Sequence, residues 1–145
     1  MPRLPNCLVW PMIKRIHHIN FLVRNLDTAI ERYKVFLQAR DIIREELPQR
    51  KVSTARFRVG DTWIVLIQPY DPDSIPGRHL RQHGEGFFLI SYQTDDLEAE
   101  SAQVAENGIE VLDKLPRQGL ADWLVKDLSP DDLFAVNTQL VESDD

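Results

Sequence analysis

Two histidines stand side by side, His17 and His18, in a run that is otherwise apolar and β-branched (Ile16, Ile19, Phe21, Val23). An imidazole in such a place can ligate a metal, carry a proton or anchor a ligand by a hydrogen bond. Neighbours on a strand point to opposite faces, so the pair is not expected to serve one ion. His17 is read as a packing or surface histidine, and His18 as a base or a hydrogen-bond anchor. His79 and His83 are four residues apart, which puts both on one helical face. They lie in a Pro- and Gly-containing connector, so packing is the expected role. Glu45 and Glu46 are adjacent on a strand and diverge. Arg50, Lys51, Arg56 and Arg58 form a small basic cluster. Arg56 and Arg58 share a strand face and could meet an acidic ligand, but charge balance with Glu45 and Glu46 is the expected use. Cys7 has no evident base beside it, and a nucleophile role is not expected.

These groups need elements to hold them. Ile16–Val23 reads as a strand, Asn25-Leu26-Asp27 as a helix start, and Thr28–Leu37 as a helix with Ala29, Ile30, Tyr33 and Leu37 on its apolar face. The second half repeats the order. Phe87–Tyr92 is a strand, Asp95-Asp96-Leu97-Glu98 a cap, and Ala99–Asn107 a helix stopped by Gly108. Ile19 and Ile90 hold equivalent places, as do Leu26 and Leu97. Further strands are expected at Val52–Val59 and Thr62–Gln68, and at Ile109–Leu112, Trp123–Asp127 and Leu133–Val141. Residues 71–85 are the connector, with a short helix near Arg78–His83. The period of half a chain indicates a duplication.

With 145 residues, 43% apolar and 28% charged, the chain suits one compact domain with its own core. A net charge of −6 excludes a nucleic-acid backbone as the main partner. The apolar run in residues 1–12 is broken by Pro5 and Pro11, too short for a membrane span. It is read as an N-terminal arm. One cysteine excludes an intrachain disulfide and suits a cytoplasmic setting.

Ile16-His17-His18-Ile19, Leu26-Asp27-Thr28-Ala29-Ile30, Val59-Gly60-Asp61-Thr62, Leu66-Ile67-Gln68-Pro69, Gly84-Glu85-Gly86 and Asp95-Asp96-Leu97-Glu98-Ala99 together resemble the vicinal-oxygen-chelate superfamily of glyoxalases, bleomycin-resistance proteins and dioxygenases. Within it the methylmalonyl-CoA epimerases resemble the chain most. The resemblance spans residues 13–142. It implies an α+β fold of two βαβββ modules, 13–70 and 86–142, in a cupped, mostly antiparallel sheet. It also implies a homodimer, and a divalent metal held by one ligand from each of four strands. Those four positions are His18, Val65, Leu89 and Gln139. Valine and leucine offer no lone pair and glutamine no titrating proton, so neither a divalent metal nor another cofactor is expected.

By strand alternation the cup should display His18, Asn20 and Leu22; Trp63, Val65 and Ile67; Phe87, Leu89 and Ser91; and Asn137, Gln139 and Val141. The cup is expected to stay open and to bind a small organic ligand through His18, Asn20, Trp63, Phe87, Ser91, Asn137 and Gln139. The alternative is an isomerase or lyase acting on an acyl or keto compound, with His18 as its catalytic proton-transfer group.

Overall fold

The computed structural model describes residues 13–145; the arm expected over 1–12, with Cys7, lies outside the described residues. The chain begins with strand β1 (Ile13–Leu22), helix α1 (Leu26–Leu37), β2 (Ile43–Leu47), β3 (Val52–Val59) and β4 (Thr62–Pro69). Helix α2 (Ile75–His83) follows. The order then repeats as β5 (Gly86–Thr94), α3 (Leu97–Glu106), β6 (Arg117–Gln118), β7 (Leu124–Leu128) and β8 (Thr138–Glu142).

All eight strands join one curled sheet in the order β2-β3-β4-β1-β5-β8-β7-β6. The order reads the same from each end, because each module contributes one half. The seam is the antiparallel pair β1·β5, where Ile19 faces Ile90. β1·β4 and β5·β8 are the parallel pairs. The α+β class and the two-module cup read from the sequence are the fold observed.

The local causes repeat too. Asn25 caps α1 by accepting from Thr28 N at 2.9 Å, and Asp96 caps α3 by accepting from Ala99 N at 3.0 Å. The last strand of each module steadies the same helix start: Leu26 N donates to Gln68 Oε1 at 2.7 Å, and Leu97 N to Glu142 Oε1 at 2.8 Å. Leu26 and Leu97, each buried, open the two helix–sheet cores. Ile30 of α1 packs with Ala55, Phe57 and Leu66 on the outer face of the sheet, and Leu97 of α3 with Leu128 and Leu140. Each fully buried side chain of this kind contributes about 1.5–3 kcal/mol.

Alternation then sends Trp63, Val65 and Ile67 of β4 into the cup while Leu66 faces α1. Gly77 of α2 touches the Asp71 carbonyl so closely that a Cβ would sit 2.0 Å from its oxygen. This packs the start of α2 closely on the turn that follows β4.

Three expectations are corrected. Ile109–Leu112 is no strand and makes only one bridge, Val111 to Leu128. β8 starts at Thr138, not Leu133, because Phe134 and Ala135 adopt left-handed φ of 58° and 67°, which a strand cannot contain. The connector helix starts three residues earlier than Arg78, at Ile75, capped by Ser74.

Candidate functional site

The cup is not open along its length. Leu120 and Trp123, from the turn between β6 and β7, fold over it and pack with Trp63, Val65 and Val125. What remains is a cavity of about 70 Å³. His18 and Asn20 of β1, Thr54 of β3 and Gln139 of β8 line it, with Arg50 and Arg117 also in its wall. A wider groove of about 370 Å³ adjoins it and shares Arg50, Phe88 and Leu89. Arg78 and His79 of α2 and Asn137 line the groove.

The two histidines do not diverge. His17 Nδ1 lies 2.8 Å from His18 Nδ1, and both rings pack on Trp123 with centroids 4.7 Å away. The period-two rule fails here because the β1·β5 register shifts between Ile16 and His18. A bulge places two residues opposite one and re-aims their side chains. His17 is therefore fully buried and hydrogen-bonds through Nε2 to Asp145 Oδ1 at 3.1 Å. Burial depresses the pKa of both imidazoles, His18 to about 3, with the neighbouring His17 as the next cause. His18 is thus neutral at physiological pH.

Gln139 is held at both ends. Its Oε1 accepts from Ser91 Oγ at 3.0 Å, and its Nε2 donates to Asp127 Oδ1 at 3.0 Å. Asp127 also accepts from Arg117 at 3.1 Å, and Arg117 reaches Asp113 at 2.9 Å. On the other side, Arg56 is buried against the faces of Trp63 and Trp123 and pairs with Glu45 at 2.6 Å. Charge balance, as expected from the sequence, is its use. Glu45 also accepts from Ala121 N at 3.1 Å, so β2 and the β6–β7 turn, at opposite ends of the sheet, are fastened together.

Of the residues expected in the cup, His18, Asn20 and Gln139 line the cavity. Ser91 lies behind Gln139, fully buried. Trp63 packs in the cup's core beneath Arg56 and Arg58, off the cavity. Asn137 lines the groove, its amide donating to Phe88 O at 2.9 Å. Phe87 is the clear departure: it is half-exposed against Phe21, and Phe88 lines both hollows instead. A second shift in β1·β5, between Asn20 and Phe21, explains it. His79 and His83 lie with tilted rings 4.5 Å apart and His79 packs edge-on against Phe88, as a connector role predicts.

Sequence reasoning does not assign Arg50, Thr54, Phe88, Arg117 or Trp123 to the cup. The left-handed Ala121 in the turn that carries Trp123 leaves no mark in the sequence, since alanine does not favour that conformation.

The residues present do not fit a divalent cation. Val65 and Leu89, both buried hydrocarbon, occupy two of the four positions given by the resemblance. Gln139 is committed to Ser91 and Asp127, and His18 Nδ1 to His17. Among the described residues, no three His, Cys, Asp or Glu side chains form a metal-holding group. A catalytic site of the usual kind needs about three protein ligands.

Comparison with known proteins agrees with the fold. Residues 17–126 match the family described as the glyoxalase/bleomycin resistance protein/dioxygenase superfamily. The chain is 25% identical to the uncharacterized protein YqjC of Bacillus subtilis over 130 residues, covering 90% of this chain and 93% of that one. It is 31% identical to the metallothiol transferase FosB of Shouchella clausii over 109 residues, 74% of this chain and 66% of the transferase. Among solved structures, a variant of Streptomyces coelicolor methylmalonyl-CoA epimerase bound to 2-nitronate-propionyl-CoA superposes with a TM-score of 0.87 at 29% identity, over 92% of this chain and 96% of the epimerase.

Proposed function

The chain belongs to the glyoxalase/bleomycin resistance protein/dioxygenase superfamily, and from that premise we propose that it captures a small organic ligand in the cup without a resident metal. One observation carries the reading. Asn20 lines the cavity, and its Oδ1 is buried with no hydrogen-bond partner among the described residues. An unpaired buried carbonyl costs about 1–3 kcal/mol, and a ligand donor would recover it. Neutral His18 and the Gln139 amide stand beside it. A few convergent polar groups in an otherwise apolar hollow are what orient a bound organic molecule. The small cavity takes a head group, and the adjoining groove leaves room for a longer remainder.

The isomerase or lyase reading draws support from the likeness to epimerases. Against it, an imidazole held near 3 is a poor base at neutral pH. We take the working unit to be a cytoplasmic homodimer; a single cysteine supports a reducing compartment, and among the described residues no helix is long and apolar enough to cross a membrane.

Thermal unfolding against a panel of Zn, Ni, Co and Mn salts, acyl-CoAs, keto acids and aromatic compounds tests the proposal. At least one organic compound should raise Tm, and His18→Ala should weaken that shift. A metal bound at one per chain that raises Tm would overturn the metal-free reading.

A further inference from the structure

The protein carries a net charge of −6, yet its hollows are positive. Arg50 and Arg117 line the cavity, and Arg50 and Arg78 line the groove. Asp127 is the one carboxylate among the described residues lining either. It is already engaged by Gln139 and Arg117, and Asp113 by Arg117 and by Asp127 N at 2.7 Å. Both carboxylates near Arg50 are thus used by others, and no described carboxylate lies within ion-pair distance of the Arg50 guanidinium.

Arg50 is also held in place. It ends a 3-10 turn, Pro48–Arg50, closed by Lys51 N donating to Pro48 O at 3.0 Å. The Lys51 carbonyl accepts from Tyr70 N at 3.1 Å, tying the turn to the end of β4. Partial burial disfavours its charge, Arg117 disfavours it further, and the Asp127 and Asp113 carboxylates beyond ion-pair distance offset only part of this. A desolvated cation without a partner is costly. The guanidinium fork matches a carboxylate or phosphate geometrically. His79 also lines the groove, and its Nδ1 is buried without a partner among the described residues.

We propose that the captured ligand is a small organic anion, its carboxylate or phosphate-type group held by Arg50 where cavity and groove meet. This rests on the capture reading and narrows it to a charge class. The apolar end of such a molecule lies toward Phe88 and Leu89, which line both hollows.

Three probes of similar size separate the terms: propionate, ethylphosphonate and propionamide, titrated into the full chain and followed by NMR shifts of cavity amides and of arginine Nε–H. The expected result is that at least one anion binds tenfold or more tighter than propionamide, since a charge-assisted bond is about twice as strong as a neutral one. Arg50→Gln should abolish that preference, while Arg32→Gln, which removes an exposed charge on α1, should keep it. Which anion binds better assigns carboxylate or phosphate-type recognition. If the neutral amide binds as well as both anions, or the preference survives Arg50→Gln, the anchor is overturned while capture in the cup stands. If none of the three shifts a cavity resonance at tens of millimolar, the anchor is overturned too, and the wider panel then decides the capture reading separately.

Discussion

Two guanidiniums of the first module, six residues apart, are treated in opposite ways. Arg56 is buried, faces two indoles at 5.4 and 5.3 Å, and pairs with Glu45 at 2.6 Å. Its Nε is buried without a partner. Arg50 is partly exposed, pinned in a turn, and has no described carboxylate within ion-pair distance. The first arrangement is closed: cation, anion, aromatic faces and the Ala121 amide use one another and draw the sheet's two ends together. The second is left open on the side where the hollows lie. The contrast separates the charge that maintains the cup from the charge available to something entering it.

The largest test acts on the closed side. Glu45→Ala removes the partner of a buried guanidinium and the acceptor for Ala121 N. Losing one member of a fully buried pair costs about 3–5 kcal/mol. Glu45 is itself about one-third exposed, so about 2–4 kcal/mol is expected in urea unfolding. Arg56→Leu in the same chain should recover most of it. A cost under about 1 kcal/mol would reduce the clasp to an ordinary surface pair and erase the contrast.

Much of this division is readable in the sequence, and the failures share a cause. Ile19, Ile90, Leu26 and Leu97 mark the duplication correctly, because a repeated strand-turn-helix needs the same apolar residues in the same places. Trp63, Val65 and Ile67 share the cup face, because β4 is regular. Strict alternation misplaces His17 and Phe87, because it does not foresee the register shifts in β1·β5. A one-residue slip exchanges the faces of a strand. Trp123 reads only as a strand start, since its part in the roof depends on a turn reaching across to Glu45, 76 positions away in sequence. Arg50 reads as one of a basic cluster whose partners look sufficient. Only the folded arrangement decides which arginine receives the carboxylate.

The buried histidines make the next test. His18 has a folded pKa near 3 against an ordinary 6.5, and His17 is depressed as well. The unfolded chain therefore binds protons below pH 6.5 that the folded chain refuses. Stability is fully present above 6.5 and falls as pH drops from 6.5 toward 3, at about 1.4 kcal/mol per unit for one group. By pH 5 the expected loss from His18 is about 2 kcal/mol. Urea midpoints across that window should show the slope, and His18→Gln should flatten it. A slope unchanged by that substitution would place the proton uptake elsewhere. A smaller effect, about 1–2 kcal/mol, is expected for Gln139→Leu, which strands Ser91 Oγ and one oxygen of Asp127. If this second substitution proves neutral, water has replaced the amide, and the floor of the cavity is wetter than its apolar lining suggests.

The smallest effect is the most informative for the open side. Arg50→Gln removes a charge that contributes no ion pair within the described residues. It relieves repulsion from Arg117 and the desolvation of the guanidinium, and gives up the longer-range attraction of Asp127 and Asp113. Its unfolding free energy should stay within about 0.5 kcal/mol of the parent, or rise. Arginine at a position where it adds nothing to folding is then explained by what it does in the folded state. The comparison sharpens if stability is unchanged while anion preference disappears, because the two arginines would then divide the work cleanly, one for the fold and one for the ligand. It breaks if Arg50→Gln destabilises as much as Glu45→Ala. That result would mean Arg50 shares the Asp113 and Asp127 carboxylates in solution, making it a second clasp in place of a docking charge.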